Sequence, residues 1–257
     1  IPKYFDGEEV TSKLQKAIHY IIGTEFDVAF NTTLNVEAYY KDFRQLTSMN
    51  RNQVYSVDDA PIGTPEIEKK DFMVERGKAY GLDFSLKYDS HRWYLWGAYS
   101  LGYVNKDYED SNGDIHTYRT HYDRRHNVNL LATYTAGAKN QWELSARWNF
   151  GTGFPFTKVT GFYEELPYNN IDFDPYTESG YLGILYDELN TGQMPTYHRL
   201  DIDIKRKFYF SENVLLEANF GITNVYNREN IFYIDIVSAE FIYQLPLMPS
   251  LGLTLSF

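Results

Sequence analysis

The sequence predicts an all-β fold: a membrane-spanning, antiparallel, up-and-down β-barrel, of which this chain supplies about nine strands. Three observations carry the prediction. Segments of about ten residues alternate apolar and polar side chains, so each presents one apolar face. No complementary amphipathic helices accompany them to cover that face. Aromatic residues make up 18% of the chain, with 24 Tyr and 17 Phe, ring types suited to membrane interfaces where one end is wet. One large sheet with a lipid-facing side accounts for all three.

Composition narrows the remaining classes. No stretch approaches the ~18 unbroken apolar residues of a spanning helix, and the mean hydropathy is negative. A spanning strand needs only ~9 to 11 residues, half of them facing a wet lumen, so a barrel can be hydrophilic on average. The net charge of -11 excludes nucleic acid as a partner, because phosphates demand a basic surface. With no cysteine there is neither a disulfide framework nor a thiolate site. The chain opens Ile1-Pro2-Lys3 with no charged segment leading into an apolar one, so the expectation is that a signal has been removed or that more chain precedes it.

Residues 1 to 11 are polar and irregular. The next segment has two readings. Leu14, Ala17, Ile18, Ile21 and Ile22 have helical spacing, with Ser12 as a cap and Gly23 as a stop. As a strand from Ala17 to Phe26, Ile18, Tyr20 and Ile22 face lipid while His19, Gly23 and Glu25 face inward. The strand is preferred because Asp27 to Thr32 then turns into a clear partner, with Leu34, Val36, Ala38 and Tyr40 opposite Asn35, Glu37 and Lys41. After a loop through Asn50, Pro61 and Pro65, Tyr80, Leu82, Phe84, Leu86 and Tyr88 alternate with Ala79, Gly81, Asp83, Ser85 and Lys87. A tight turn at Asp89 to Arg92 closes a hairpin with Trp93, Leu95, Tyr99, Leu101 and Tyr103.

The pattern returns in Val128, Leu130, Ala132 and Tyr134, turns at Gly137 to Asn140, and continues as Trp142, Leu144, Ala146, Trp148 and Phe150. A long irregular stretch from Gly151 to about Thr196 carries seven acidic residues, too long for a connector in a compact domain and therefore a functional loop. Strands resume with Leu200, Ile202 and Ile204, then Leu216, Ala218, Phe220 and Ile222. The last runs from Pro249 to Phe257, where Leu251, Leu253, Leu255 and Phe257 oppose Ser250, Gly252, Thr254 and Ser256. Connections after Phe26, Tyr88, Ala136 and Phe210 are short and those after Leu46, Tyr108 and Phe150 are long, which assigns the periplasmic and extracellular ends. Nine strands cannot close the usual even-stranded barrel, and an open edge in lipid leaves backbone groups unpaired. The remaining strands are therefore expected from other chain.

Several runs resemble a known family. Arg199-Leu200-Asp201-Ile202-Asp203-Ile204-Lys205, Gly221-Ile222-Thr223-Asn224-Val225-Tyr226-Asn227-Arg228-Glu229-Asn230, and Leu247-Met248-Pro249-Ser250-Leu251-Gly252 through Phe257 resemble the carboxyl end of TonB-dependent outer-membrane receptors. Tyr122-Asp123-Arg124-Arg125-His126-Asn127-Val128 and Trp148-Asn149-Phe150-Gly151-Thr152-Gly153 resemble upstream strands of the same barrels. The resemblance implies a 22-stranded barrel with an amino-terminal plug. Such a barrel lies in the bacterial outer membrane and imports a scarce ligand with energy from the TonB complex of the inner membrane. Residues 1–257 would then be the carboxyl-terminal barrel portion, with plug and earlier strands outside this chain. Phe257 matches the aromatic end that the family presents to the barrel-assembly machinery. The last loop and strand resemble general receptors more than starch-utilisation glycan importers, so metal chelate, cobalamin and peptide stand ahead of oligosaccharide.

Transport requires a ligand held by loops and upper lumen, and no cofactor. Strand parity places Lys106, Arg125, Arg147, Asn149, Tyr197, Arg199 and Asp201 in the lumen, where arginines can grip carboxylates or a chelate anion through paired donors. The bland reading pairs the same groups with lumen or plug carboxylates. The long loop adds Tyr163, Tyr168, Tyr176 and Tyr181, rings that can stack on a sugar, corrin or peptide. Its carboxylates lack the glycine and terminal glutamate of an EF-hand, and the scattered histidines form no zinc set. Gly151-Thr152-Gly153 reads as a strand-end turn.

Two other classes compete. One is a small complete barrel enzyme, a lipase or protease, using His121 with Asp123 or His198 with Asp201. It would need Asn230 to Phe257 to supply two strands, and no serine has a nucleophile setting. The other is a structural or adhesive barrel whose loops bind a partner protein.

Overall fold

The computed structural model describes residues 4–5, 8–9, 14–50, 71–110, 112–165, 181–211, 214–235 and 237–257. Among them every regular element is a strand, and no helix is long and apolar enough to cross a membrane. Nine strands form one antiparallel meander: β1 Lys16–Ala29, β2 Thr32–Met49, β3 Phe72–Asp89, β4 Trp93–Glu109, β5 His126–Ala136, β6 Trp142–Gly151, β7 Tyr197–Tyr209, β8 Leu215–Thr223 and β9 Met248–Ser256. Each pairs only with its sequence neighbours along this path, as an up-and-down wall requires. The segment with two readings is strand, paired from Lys16 onward with β2.

Register fixes the two faces, because directly paired residues of an antiparallel ladder point to the same side. Glu143, Arg147 and Asn149 on β6 align with Lys205, Asp201 and Arg199 on β7. Ser85 and Asp83 on β3 align with Ala98 and Ser100 on β4. The other face carries Leu82, Phe84 and Leu86 beside Leu101, Tyr99 and Gly97, ending in Leu251, Leu253 and Leu255 opposite Phe220, Ala218 and Leu216. Along these ladders one face is thus mainly polar and the other mainly apolar.

Aromatic pairs mark both ends of the apolar face. Tyr80 and Tyr103 stack with centroids 5.2 Å apart toward the long-loop end, and Trp93 and Tyr134 meet at 4.5 Å beside the tight turns. Tyr80 and Tyr88 lie roughly 26 Å apart along one strand, which at a tilt of ~35–45° covers most of a ~25 Å apolar band. The tight turns contain Asn31 at φ 56° and Gly137 at φ 93°, left-handed positions that asparagine and glycine occupy most readily.

The polar face is knitted across strands. Trp96 Nε1 donates to Ser85 Oγ at 3.0 Å, Thr133 and Ser145 hydroxyls meet at 3.0 Å, and Lys205 reaches Glu143 at 3.4 Å. A bulge between Phe43 and Leu46 reverses the parity of the upper half of β2, so Leu46 and Ser48 turn to the polar face.

Three features were not in the sequence reading. The stretch after Gly151 is partly regular: Val159–Glu165 pairs with Tyr181–Tyr186, and Pro155–Phe156 with Gly192–Gln193. Ile115–Arg119 extends the ladder of β4 above β5. Ile231–Ile234 and Phe241–Tyr243 form a separate short hairpin before β9, so the segment from Asn230 to Phe257 supplies one wall strand and not the two that a ten-strand enzyme barrel needs.

Candidate ligand site at the long-loop end

The run Tyr122 to Val128 is built around Asp123, which is 1% exposed. The partner of β4 is broken between Arg119 and His126, and the Asp123 carboxylate fills the gap by accepting the Val104 amide at 3.1 Å. Arg119 Nε and Arg125 Nε both donate to its other oxygen at 2.9 Å. A buried carboxylate is tolerated here because two guanidinium groups and one amide hold it. Arg125 is thereby drawn out of the predicted lumen position. It lies outside any strand, with its guanidinium 4.1 Å from the Tyr103 ring centroid, a ring of the apolar face.

Lys106 keeps the predicted face but serves the wall. Its Nζ lies 3.1 Å from Glu75, which has no exposure, and Tyr118 donates to both oxygens of that carboxylate at 3.0 and 3.1 Å. Arg199 pairs with Asp201 at 2.8 Å, and Asp201 accepts the Asn224 amide at 2.9 Å. Asn149 donates to Asn129 at 2.5 Å. Arg147 is exposed on the polar face, and its side chain makes no hydrogen bond or ion pair with any described residue. It borders a recess of about 380 Å³ with Asp201, Asp203 and Ser145.

Asn224 organises the run Gly221 to Asn230. It is fully buried at φ 56°. Its Nδ2 donates to the carbonyls of Arg228 at 2.9 Å and Leu245 at 3.1 Å, while its Oδ1 accepts the Arg228 amide at 2.9 Å. Asn230 completes the edge beside His198 by accepting its amide at 3.2 Å and donating to its carbonyl at 3.0 Å. These asparagines stand in for the backbone of a missing strand.

A cavity of about 550 Å³ opens among the loops that these runs anchor. Its walls include Tyr122, Phe154, Phe156, Tyr186, Phe232 and Tyr233. Phe154 also lies under Arg124, whose guanidinium is 4.2 Å from its centroid and 5.4 Å from that of Tyr197. Arg124 packs where a side chain at position 151 would stand, which is why Gly151 ends β6. Burial lowers the Arg124 pKa from its ordinary value, and the neighbouring Tyr197 opposes this.

The sequence reading chose Arg125 and passed over Arg124, Phe154 and Phe156. The spacing Phe154-Pro155-Phe156 directly after a strand end was the available signal. Of the loop tyrosines, Tyr163 lies against Gly183 across its hairpin, leaving no room for a Cβ there. Tyr181 belongs to the opposite strand, and Tyr168 and Tyr176 fall outside the described residues. The proposed enzyme pairs do not form. Asp123 is taken by arginines and His121 packs edge-on to Tyr122. His198 contacts the Tyr226 hydroxyl at 2.7 Å, on the face opposite to Asp201. No group of metal-ligating side chains occurs among the described residues.

The chain is similar in fold to solved outer-membrane receptors. It aligns with the ferric-catecholate import receptor Fiu of E. coli K12 at a TM-score of 0.56 and 14% identity, covering 92% of this chain and 27% of that one. It aligns with the pyoverdine outer membrane receptor FpvA of Pseudomonas aeruginosa PAO1 at 0.56 and 12% identity, covering 95% and 30%. The FpvA complex with a heterologous pyoverdine gives 0.54 and 13%, covering 91% and 26%. The chain therefore spans about 26–30% of the length of these receptors. No curated protein matches it. Residues 11–226 match the family model described as TonB dependent receptor-like, beta-barrel, and the chain belongs to the TonB-dependent receptor family.

Proposed function

We propose that residues 1–257 form the carboxyl-terminal barrel portion of a TonB-dependent importer in the bacterial outer membrane. They supply nine wall strands and their extracellular loops, while the plug and earlier strands belong to chain outside these residues. The observation that carries this reading is the division of the paired strands into a mainly polar and a mainly apolar face, which suits a wall between water and lipid. The outer edges of β1 and β9 have no partner strand among the described residues, and the earlier strands would pair with them. Phe257, 95% exposed, is available to the barrel-assembly machinery. A metal chelate is the favoured ligand, because Fiu is described as a ferric-catecholate import receptor and FpvA as a pyoverdine receptor.

Residues 1–257 contain no cysteine, so a thiol introduced among them can be read against the unsubstituted receptor in a direct test. In the intact receptor, Leu82→Cys on the apolar face should resist an aqueous maleimide in whole outer membranes and react after detergent denaturation. Cells starved of iron should accumulate radio-iron supplied as a catecholate chelate only when both the receptor and TonB are present. Rapid labelling at position 82, or accumulation unaffected by loss of TonB, would overturn the proposal.

A further inference from the structure

We infer that Arg206 holds the phosphate group of an anionic phospholipid on the lipid-facing side of the wall, beside the tight turns. This rests on the membrane-wall part of the importer reading and concerns the surrounding lipid, not the transported ligand.

Register puts Arg206 on the apolar face. It stands directly opposite Trp142 on β6 and Ala218 on β8, and Ala218 in turn faces Leu253 on β9. Residues aligned in this way share one side of the sheet, so the guanidinium emerges among groups that meet hydrocarbon. A cation on that side is costly at mid-membrane and tolerated toward the interface. Arg206 meets this condition. Trp142 is the first residue of β6, and Lys207, next to Arg206, donates its amide to the Gln141 carbonyl at the end of the tight turn at 2.8 Å.

Two rings hold the guanidinium without satisfying it. Its central carbon lies 4.5 Å from the Trp142 ring centroid and 4.4 Å from that of Phe208. Such contacts favour the charge but offer no lone pair to the N–H donors. The Arg206 side chain makes no hydrogen bond or ion pair with any described residue. The nearest carboxylates in the ladder belong to the other face, where Glu143 meets Lys205 at 3.4 Å and Glu217 meets Lys207 at 3.6 Å. Arg206 is exposed, so its donors meet whatever fills the membrane interface, and a planar fork matches two oxygens of one phosphate. Lys139, exposed in the adjoining turn and without a carboxylate partner among the described residues, adds positive charge to this rim. A zwitterionic headgroup would bring an ammonium into the same positive field, so a lipid of net negative charge, such as phosphatidylglycerol, is favoured.

The test titrates the intact receptor in detergent micelles with phosphatidylglycerol and with phosphatidylcholine of the same acyl chains, counting bound lipid by native mass spectrometry. Phosphatidylglycerol should bind about tenfold more tightly, the effect of one charge-assisted contact. Arg206→Gln should bring phosphatidylglycerol down to the level of phosphatidylcholine and leave the latter within about twofold. Ala218→Glu, which sets a carboxylate opposite Arg206 while keeping the arginine, should do the same. Lys205→Gln, which removes the neighbouring cation from the polar face, should alter neither lipid. Heat-modifiable migration on gels confirms that each barrel is folded, and Ala218→Glu carries the test if Arg206→Gln is not.

Equal affinity of the unsubstituted receptor for the two lipids would overturn the inference whatever the variants do, as would selectivity that survives in a folded Arg206→Gln or Ala218→Glu. Displacement of phosphatidylglycerol by inorganic phosphate would assign the site to the free anion and overturn the lipid assignment. Maleimide labelling of Leu82→Cys is read separately. Protection at position 82 without lipid selectivity defeats this inference alone, and rapid labelling there with selectivity that depends on Arg206 defeats the wall reading alone.

Discussion

Glu75, which has no solvent exposure, lies 3.1 Å from Lys106 on the neighbouring strand. The pair carries a positive side chain that the sequence offers as a ligand contact into the wall itself. The Ser48 hydroxyl donates to the same carboxylate and accepts from Lys106 at 3.0 Å, so the carboxylate is surrounded by donors. Breaking such a pair leaves one charge stranded in a dry site. Lys106→Met should destabilise the barrel by about 3 kcal/mol, and adding Glu75→Leu should recover most of the loss. Urea unfolding of the receptor in detergent, followed by tryptophan fluorescence, checks both variants.

Tyr39 lies across two glycines of the polar face. A Cβ at position 102 would stand 3.0 Å from the Tyr39 hydroxyl oxygen, closer than carbon and oxygen normally pack. Gly102→Ala should cost about 1–2 kcal/mol through overpacking. Because the hydroxyl oxygen is the atom in the way, adding Tyr39→Phe should restore most of the stability in the same unfolding measurement.

Asn224→Ala removes three hydrogen bonds made by one buried side chain and keeps a non-glycine residue at a left-handed φ. The expected loss is about 2–4 kcal/mol, with Asn224→Gly less damaging by about 1 kcal/mol because glycine accepts that φ. The local readout is proteolysis: residues 235–244 should be cleaved faster in both variants than in the native receptor.

Asp110 sets a pH dependence in the hairpin above β4. The Asp114 amide, with His116 next, holds its carboxyl below the ordinary value of 3.8. A depressed carboxyl pKa means that the folded turn favours the ionised form. Its contribution is therefore fully present above the ordinary value and is lost as pH falls through the lowered one. The Asn112 and Asp114 amides, which donate to Asp110 Oδ1 at 2.9 Å, should keep their hydrogen-exchange protection at neutral pH and lose it below pH 3.8. Asp110→Asn should weaken that protection at neutral pH and remove its acid dependence.

The nine strands were legible because a sheet between water and an apolar medium writes its period into the side chains. Leu251, Leu253 and Leu255 or Tyr80, Leu82 and Phe84 leave no other register that keeps one face apolar. The candidate site was less legible, because a motif marks which residues matter without saying what they hold. The run around Asp123 stood out in the sequence, but only the broken ladder beside β4 shows its carboxylate replacing a backbone acceptor.

The sequence by itself determined the fold class, the strand order and the face of nearly every wall residue, since alternation is local and survives without knowledge of distant contacts. The tertiary structure decided which polar groups remain available to a ligand. The bulge after Phe43 turned Ser48 toward Glu75, the gap beside Val104 drew Arg125 to Asp123, and Gly151 made room for Arg124 against Phe154. Each outcome depends on a single backbone irregularity that brings together residues far apart in the chain, and periodicity carries no record of such meetings.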